Sequence, residues 1–267
     1  MGTISIKYYI CFAIILATFT SCRKVINFDL GNETGELVIE ANITNIPGQQ
    51  CVKLSRNVPF TNANTYPAVT GATVSIADDE GNSYLLKADT AGTYVADPLM
   101  GAAGHIYTLS VTTDGKTYTA KSTMPQVVKL DSITFRNDVF DSKKGQKMVT
   151  VHFQDPPNEH NQYRVVMYVD RQQVKSVFAF DDEFIDGKYA DLDLQQNDID
   201  ILTGDTVTVE LQCIDKPVYT YWFTLAQQQQ NNPGGAVAPA NPPTNITPTT
   251  LGYFSAHTTQ TITEVVK

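Results

Sequence analysis

From residue 37 onward, apolar and polar positions alternate along the chain with a period of two. In Leu37-Val38-Ile39-Glu40-Ala41-Asn42-Ile43, residues 37, 39, 41 and 43 share one face of an extended chain, which predicts a half-buried strand. The same alternation predicts strands at 50–55, 72–77, 83–87, 92–96, 105–113 and 116–122. The breaks carry turn chemistry: Asp79-Glu80-Gly81-Asn82, and above all Asp114-Gly115 between two alternating runs, the strongest hairpin signal in the chain. Seven short strands in about 90 residues, with no helical stretch, is the count of an Ig-like sandwich.

Met124-Pro125-Gln126 reads as a junction, after which strands resume at 130–136, 147–154, 162–170, 173–180 and 207–214. Tyr163, Val165, Val166, Met167, Tyr168 and Val169 leave neither face polar, as in a central buried strand. Residues 216–230 fit both periods. Val218, Tyr221, Trp222 and Leu225 share a helical face, while Tyr219, Tyr221, Phe223 and Leu225 share a strand face. Asp215 as a cap, Pro217 in the first turn and the terminal glutamines favour one helix. The uncharged, proline-rich stretch 231–250 reads as an extended loop or linker, and the strand-like residues 251–266 bring the chain back to the fold. The expected fold class is mainly β: two tandem antiparallel β-sandwich domains, an Ig-like one at 36–124 and a second at 125–267 with one helix near 216–230.

The first residues read as an address. Lys7 is followed by an apolar run from Tyr8 to Phe19, shorter than the ~20 residues a membrane-spanning helix needs, and suited to a secretory signal. Phe19-Thr20-Ser21-Cys22 resembles a lipobox. That assigns 1–21 to a signal peptide, makes Cys22 the lipidated first residue of the mature chain, and makes 22–35 a polar tether. Several acyl chains, at about 0.8 kcal/mol per buried methylene, anchor stably where one does not. Removal of the signal takes Lys7 from the 19 basic residues and none from the 28 acidic ones, so the mature chain is more acidic than the −9 of the whole. Such a balance argues against nucleic acid, which is bound by neutralising phosphates with Lys and Arg.

Catalytic motifs are sparse. His105, His152, His160 and His257 form no HExxH pair and are expected at the surface. No GxSxG elbow, phosphate-cradling glycine loop or CxxC is present, and no enzymatic activity or cofactor is expected, although a triad assembled in space would be invisible at this level. Cys51 shares a face with Lys53 and Ser55, and Cys213 with Val207, Val209 and Leu211, so one points outward and the other inward, and no disulfide is expected. Residues 181–205 hold Asp181, Asp182, Glu183, Asp186, Asp191, Asp193, Asp198, Asp200 and Asp205 against Lys188 alone. The spacing fits no EF-hand, and a solvated loop with turns such as Asp186-Gly187 is expected. Asp181, Asp182, Glu183 and Asp186 are its candidates for a basic partner or a cation. Phe60 and Tyr66, in the long loop 56–71, are candidate contacts for a sugar or a protein partner.

Several stretches together resemble a known family: Cys22-Arg23-Lys24-Val25-Ile26, Val52-Lys53-Leu54-Ser55-Arg56, Val69-Thr70-Gly71-Ala72-Thr73-Val74, the run Asp78 to Tyr84, the run Tyr107 to Tyr118, Met124-Pro125, Ile214-Asp215 to Tyr221, Asn241-Pro242-Pro243-Thr244-Asn245-Ile246 and Leu251-Gly252-Tyr253-Phe254. The chain is similar over nearly its whole mature length to domain-of-unknown-function family 4249, lipoproteins of Bacteroidota outer membranes. The genes of that family tend to lie beside TonB-dependent receptors. The resemblance therefore implies an outer-membrane anchor and an accessory role in nutrient uptake with a TonB-dependent receptor as partner. It supplies no catalytic residue and no ligand. A structural or adhesive surface subunit is the first alternative, a hydrolase the second. Bacteria with such lipoproteins often glycosylate Asp-Ser/Thr-aliphatic triplets, which makes Ser132 the leading candidate, with Thr90 and Thr206 behind it.

Overall fold

Alternation becomes strand wherever one face of the pleat can be buried. The computed structural model describes residues 35–59, 65–138, 145–229 and 240–267, and it is mainly β with one long helix. The first half contains β1 (Leu37–Thr44), β2 (Gln50–Arg56), β3 (Thr73–Asp78), β4 (Ser83–Leu85), β5 (Lys87–Ala88), β6 (Thr93–Ala96), β7 (Ile106–Thr113) and β8 (Lys116–Thr123). The second contains β9 (Leu130–Asn137), β10 (Lys147–Gln154), β11 (Gln162–Val169), β12 (Gln172–Gln173), β13 (Phe178–Asp181), β14 (Tyr189–Leu194) and β15 (Thr206–Cys213). Then follow α1 (Lys216–Gln229), β16 (Ile246–Thr247) and β17 (Leu251–Val265). Asp114 and Gly115 both take positive φ in the β7–β8 turn, as the hairpin signal requires.

Two sandwiches share one sheet. A nine-stranded sheet runs β12-β11-β15-β17-β1-β2-β6-β5, with β13 also paired to β11, and the sheets β16-β8-β7-β3-β4 and β14-β10-β9 cover its two halves. The first core gathers Ile39, Ile43, Leu54, Ile76, Leu109 and Met124, and the second gathers Val151, Phe153, Tyr163, Met167, Val209 and Leu211. The seam is β17. It pairs in parallel with β1 and antiparallel with β15. Its first half lends Phe254 and Ala256 to the first core, while Ile262 farther along packs on the second. The junction at Met124-Pro125 separates the strands of the two cores up to that point, but Ile246, Phe254 and Ala256 return to the first sandwich. Residues 34–267 accordingly form one compact unit.

The helix is fixed where the halves meet. Asp215 caps it, its Oδ1 accepting from the Val218 amide at 3.2 Å. Its Oδ2 accepts from the Ser122 hydroxyl at 2.8 Å and the Thr123 amide at 2.9 Å, and Ser122 Oγ accepts from the Ala256 amide at 2.8 Å. One carboxylate thus ties α1, β8 and, through Ser122, β17. Over the outer face of the sheet, the Arg164 guanidinium lies 3.6 Å from the centre of the Trp222 ring, and Tyr221 and Trp222 pack against Tyr253.

Three expected elements differ. The stretch 83–87 is not one strand: it divides into β4 of the five-stranded sheet and β5 of the nine-stranded sheet. The stretch 173–180 is not one strand but β12 and β13, both paired to β11, separated by a connection in which Val174 is tucked into the second core. The acidic stretch, expected as a loop, contains β14. There Ala190 and Leu194 face inward and Tyr189, Asp191 and Asp193 outward, an alternation masked by the density of acidic side chains.

Candidate functional site

The acidic stretch is built on a turn held from below. Past the end of β10, Asp155 is fully buried. It accepts from the Tyr163 hydroxyl at 2.5 Å and the Gly187 amide at 3.0 Å. Asp182, also buried, accepts from the Asn161 amide at 2.6 Å through its side chain and from the Ile185 and Asp186 amides through its carbonyl. Asp186 accepts from the Asn158 amide at 2.8 Å. Gly187 has φ +68, and a Cβ there would stand 2.9 Å from that of Pro157. The turn 182–187 is therefore clamped onto the loop 155–161.

Clamping the turn pushes the intervening side chains outward. Phe184 is 78% exposed, the most exposed large apolar side chain among the described residues, and Glu183 beside it is exposed. Asp181 pairs with Lys216 at 3.5 Å, and the Lys216 ammonium lies 4.5 Å from the centre of the Tyr219 ring. Tyr219, packed in the small cluster under the helix, is pushed up to about 12 by burial and then by Asp181. A cavity of about 480 Å³ is lined by His160, Gln162, Asp181, Asp182, Glu183 and Lys216. Phe184 thus stands as a single exposed ring beside charged side chains on an ordered turn.

The four acidic candidates therefore divide. Asp181, Asp182 and Glu183 all line the cavity, and Glu183 is exposed. Asp182 and Asp186 join Asp155, the three offering carboxylate oxygens within 4.8 Å of one another. Burial raises the Asp155 carboxyl above the usual range, against the hydrogen bonds from Tyr163 and Gly187. Oxygens of this kind suit a hard cation, which takes six or more. All three carboxyls, however, already accept the hydrogen bonds that order the turn.

The other candidates are dispersed. Cys22 and Phe60 lie outside the described residues, as do the signal peptide and all of the tether except Gly35. Tyr66 is 55% exposed, far from the acidic turn in sequence and on the first sandwich, while Val69 of the same loop is in the core. Thr90 is exposed in a bend, Thr206 begins β15, and Ser132 sits part-buried on β9 opposite His152. Cys51 is part-buried and Cys213 buried; both are free, and burial raises both thiols.

Two histidines depart from the expected surface placement. The His152 side chain is only 17% exposed. Its Nδ1 is 2.5 Å from Asp191 Oδ1 and its Nε2 2.7 Å from Thr134 Oγ1. A hydroxyl, an imidazole and a carboxylate in line have the order of a nucleophilic triad, but here they span three neighbouring strands of one sheet face. The row stitches strands.

His257 is fully buried. Burial pulls its pKa down to about 4, with Glu210 opposing and Arg164 adding. The unfolded imidazole gains its proton near 6.5 and the folded one only near 4, so between these values the unfolded state holds more protons and stability falls as pH falls. The expected loss specific to His257 is about 3 kcal/mol between pH 7 and pH 4. Asp155 and Asp215, with raised values, act in the opposite sense in acid but are common to wild type and variant. Urea melts at both pH values should show a smaller acid loss in His257→Gln than in wild type. Equal losses would remove His257 as the cause.

Sequence reasoning missed Asp155, hidden in Gln154-Asp155-Pro156-Pro157, and Phe184. A lone aromatic ring inside an acidic run was the available signal for Phe184. No curated protein matches the chain. A family model described as Domain of unknown function (DUF4249) matches residues 23–263. With that match spanning both sandwiches and their shared strand, the chain belongs to the DUF4249 family.

Proposed function

We propose that the chain is a lipid-anchored binding protein of the outer membrane, an accessory component of a TonB-dependent nutrient uptake system, that docks its partner through the turn 181–187. The signal peptide 1–21 directs export, Cys22 carries the lipid and 22–35 is the tether. The observation that carries the docking surface is Phe184, 78% exposed on a turn clamped by buried hydrogen bonds and flanked by Asp181 and Glu183. Burying such a ring against a partner releases about 1.5–3 kcal/mol, and the turn needs no further ordering to do it. A lipid anchor confines the protein to the membrane and raises its effective concentration toward another protein there. The acidic rim favours a basic patch on the partner and makes docking sensitive to salt.

The test is capture from native membranes in mild detergent. The tagged protein is expected to bring down a TonB-dependent receptor, with less recovered as salt is raised. Self-assembled fibres without a receptor would favour the structural subunit instead.

A further inference from the structure

The geometry points to a second element of this binding surface: the free edge of β14 takes up, as an added strand, an extended polypeptide segment in which basic and apolar residues alternate. The inference rests on the reading of the chain as a binding protein and names the chemistry of what one edge of it takes.

The backbone fixes which groups are free. Among the described residues β14 is the end strand of its sheet and pairs only with β10. The Asp155 amide donates to the Lys188 carbonyl, and the same register continues through Phe153↔Ala190 and Val151↔Leu192 to Val149↔Leu194. In an antiparallel ladder, paired groups alternate along the strand. Ala190, Leu192 and Leu194 thus turn their amides and carbonyls to β10, and Tyr189, Asp191 and Asp193 turn theirs to the open edge.

The side chains fix what fits. A cleft of about 310 Å³ separates β14 from β13 of the facing sheet, with Phe178, Phe180, Leu192, Leu194 and Phe223 among its walls. A strand laid along β14 would place every second side chain in this apolar cleft. The alternate side chains would stand beside Asp191 and Asp193 on the outer face. On that face both aspartates already meet side-chain nitrogens from inner strands: Arg136 of β9 pairs with Asp193, and His152 Nδ1 of β10 lies 2.5 Å from Asp191. The next strand outward is favoured when it is basic, since opposite charges stabilise cross-strand neighbours. A second copy of the chain is disfavoured, because pairing β14 with itself sets aspartate against aspartate. Strand addition with pockets for alternate side chains is an established form of peptide recognition.

The probe is an eight-residue peptide alternating lysine and valine, added to the full mature protein in detergent. Binding should slow hydrogen exchange at the Asp191 and Asp193 amides, and a peptide alternating glutamate and valine should give no protection. N-methylating the edge-facing amides of the lysine peptide, or combining Asp191→Asn with Asp193→Asn, should each weaken binding about tenfold. Equal binding by the N-methylated peptide, or by the glutamate peptide, overturns the inference, and so does absence of protection at both amides. The two readings fail separately: receptor capture without peptide protection discards the edge alone, whereas peptide protection without receptor capture keeps the edge and discards the receptor.

Discussion

Gly252→Ala is expected to destabilise the protein by more than about 4 kcal/mol, a loss reserved for a few mechanisms such as backbone clash. Gly252 sits at φ +99 near the start of β17, paired with Ile39. A Cβ there would lie 2.0 Å from the Ile39 carbonyl oxygen and 2.7 Å from its carbon. Both are backbone atoms of β1, so no side chain can swing aside. Relief requires β17 to leave β1, and with it go the contacts of Phe254 and Ala256 in the first core. Total stabilities of about 5–15 kcal/mol make that a large fraction. Gly115→Ala separates strain from clash: φ is +72, but nothing lies within 4 Å of the added carbon. Only the left-handed backbone penalty of about 1–2 kcal/mol applies there. Urea midpoints of the two variants should differ widely; equal shifts would mean that the close approach of β1 and β17 does not hold the fold together.

Asp215→Ala is expected to lose about 3–5 kcal/mol. Three donors lose a carboxylate acceptor: the amides of Val218 and Thr123, and the hydroxyl of Ser122. The Ser122 oxygen in turn holds the Ala256 amide, so the damage spreads from the helix to β17. Loss of a helix cap alone costs about 1 kcal/mol. Asp215→Asn keeps one acceptor oxygen and should lose about half as much as the alanine variant. A loss in the alanine variant no larger than that of a cap would show that Asp215 serves the helix only and not the junction of the sandwiches.

The strands of both sandwiches were legible because burial of one face imposes a period of two, and Asp114-Gly115 because few residues take positive φ in succession. The helix 216–229 was legible from its cap and glutamines despite an ambiguous apolar pattern. What escaped is non-local. Residues 251–265 read as strand, but nothing in them announces a parallel partner more than 200 positions earlier; Gly252 is the one trace, and its meaning lies in the backbone of Ile39. The acidic stretch was recognised as a candidate without its internal division. Asp182 and Asp186 differ from Asp181 and Glu183 only in the backbone amides they face, and those amides belong to residues 158–161. No motif marks His257, so it reads as a surface histidine, but it lies buried with Ser255, Thr258 and Thr259.

The division of the acidic residues sets how the proposed docking surface is tested. Neutralising Asp182 or Asp186 would loosen the turn itself, whereas Asp181→Asn, Glu183→Gln and Phe184→Ala leave in place the hydrogen bonds of Asp155, Asp182 and Asp186 that hold it. The decisive measurement is therefore capture of the proposed partner, a TonB-dependent receptor, from native membranes by this triple variant and by the unaltered protein, at equal expression and equal urea midpoint. Recovery should fall about tenfold or more in the variant, since a central aromatic contact alone can carry over 1 kcal/mol of binding and the rim charges add to it. Undiminished recovery of the receptor by a correctly folded triple variant would contradict docking through the turn 181–187.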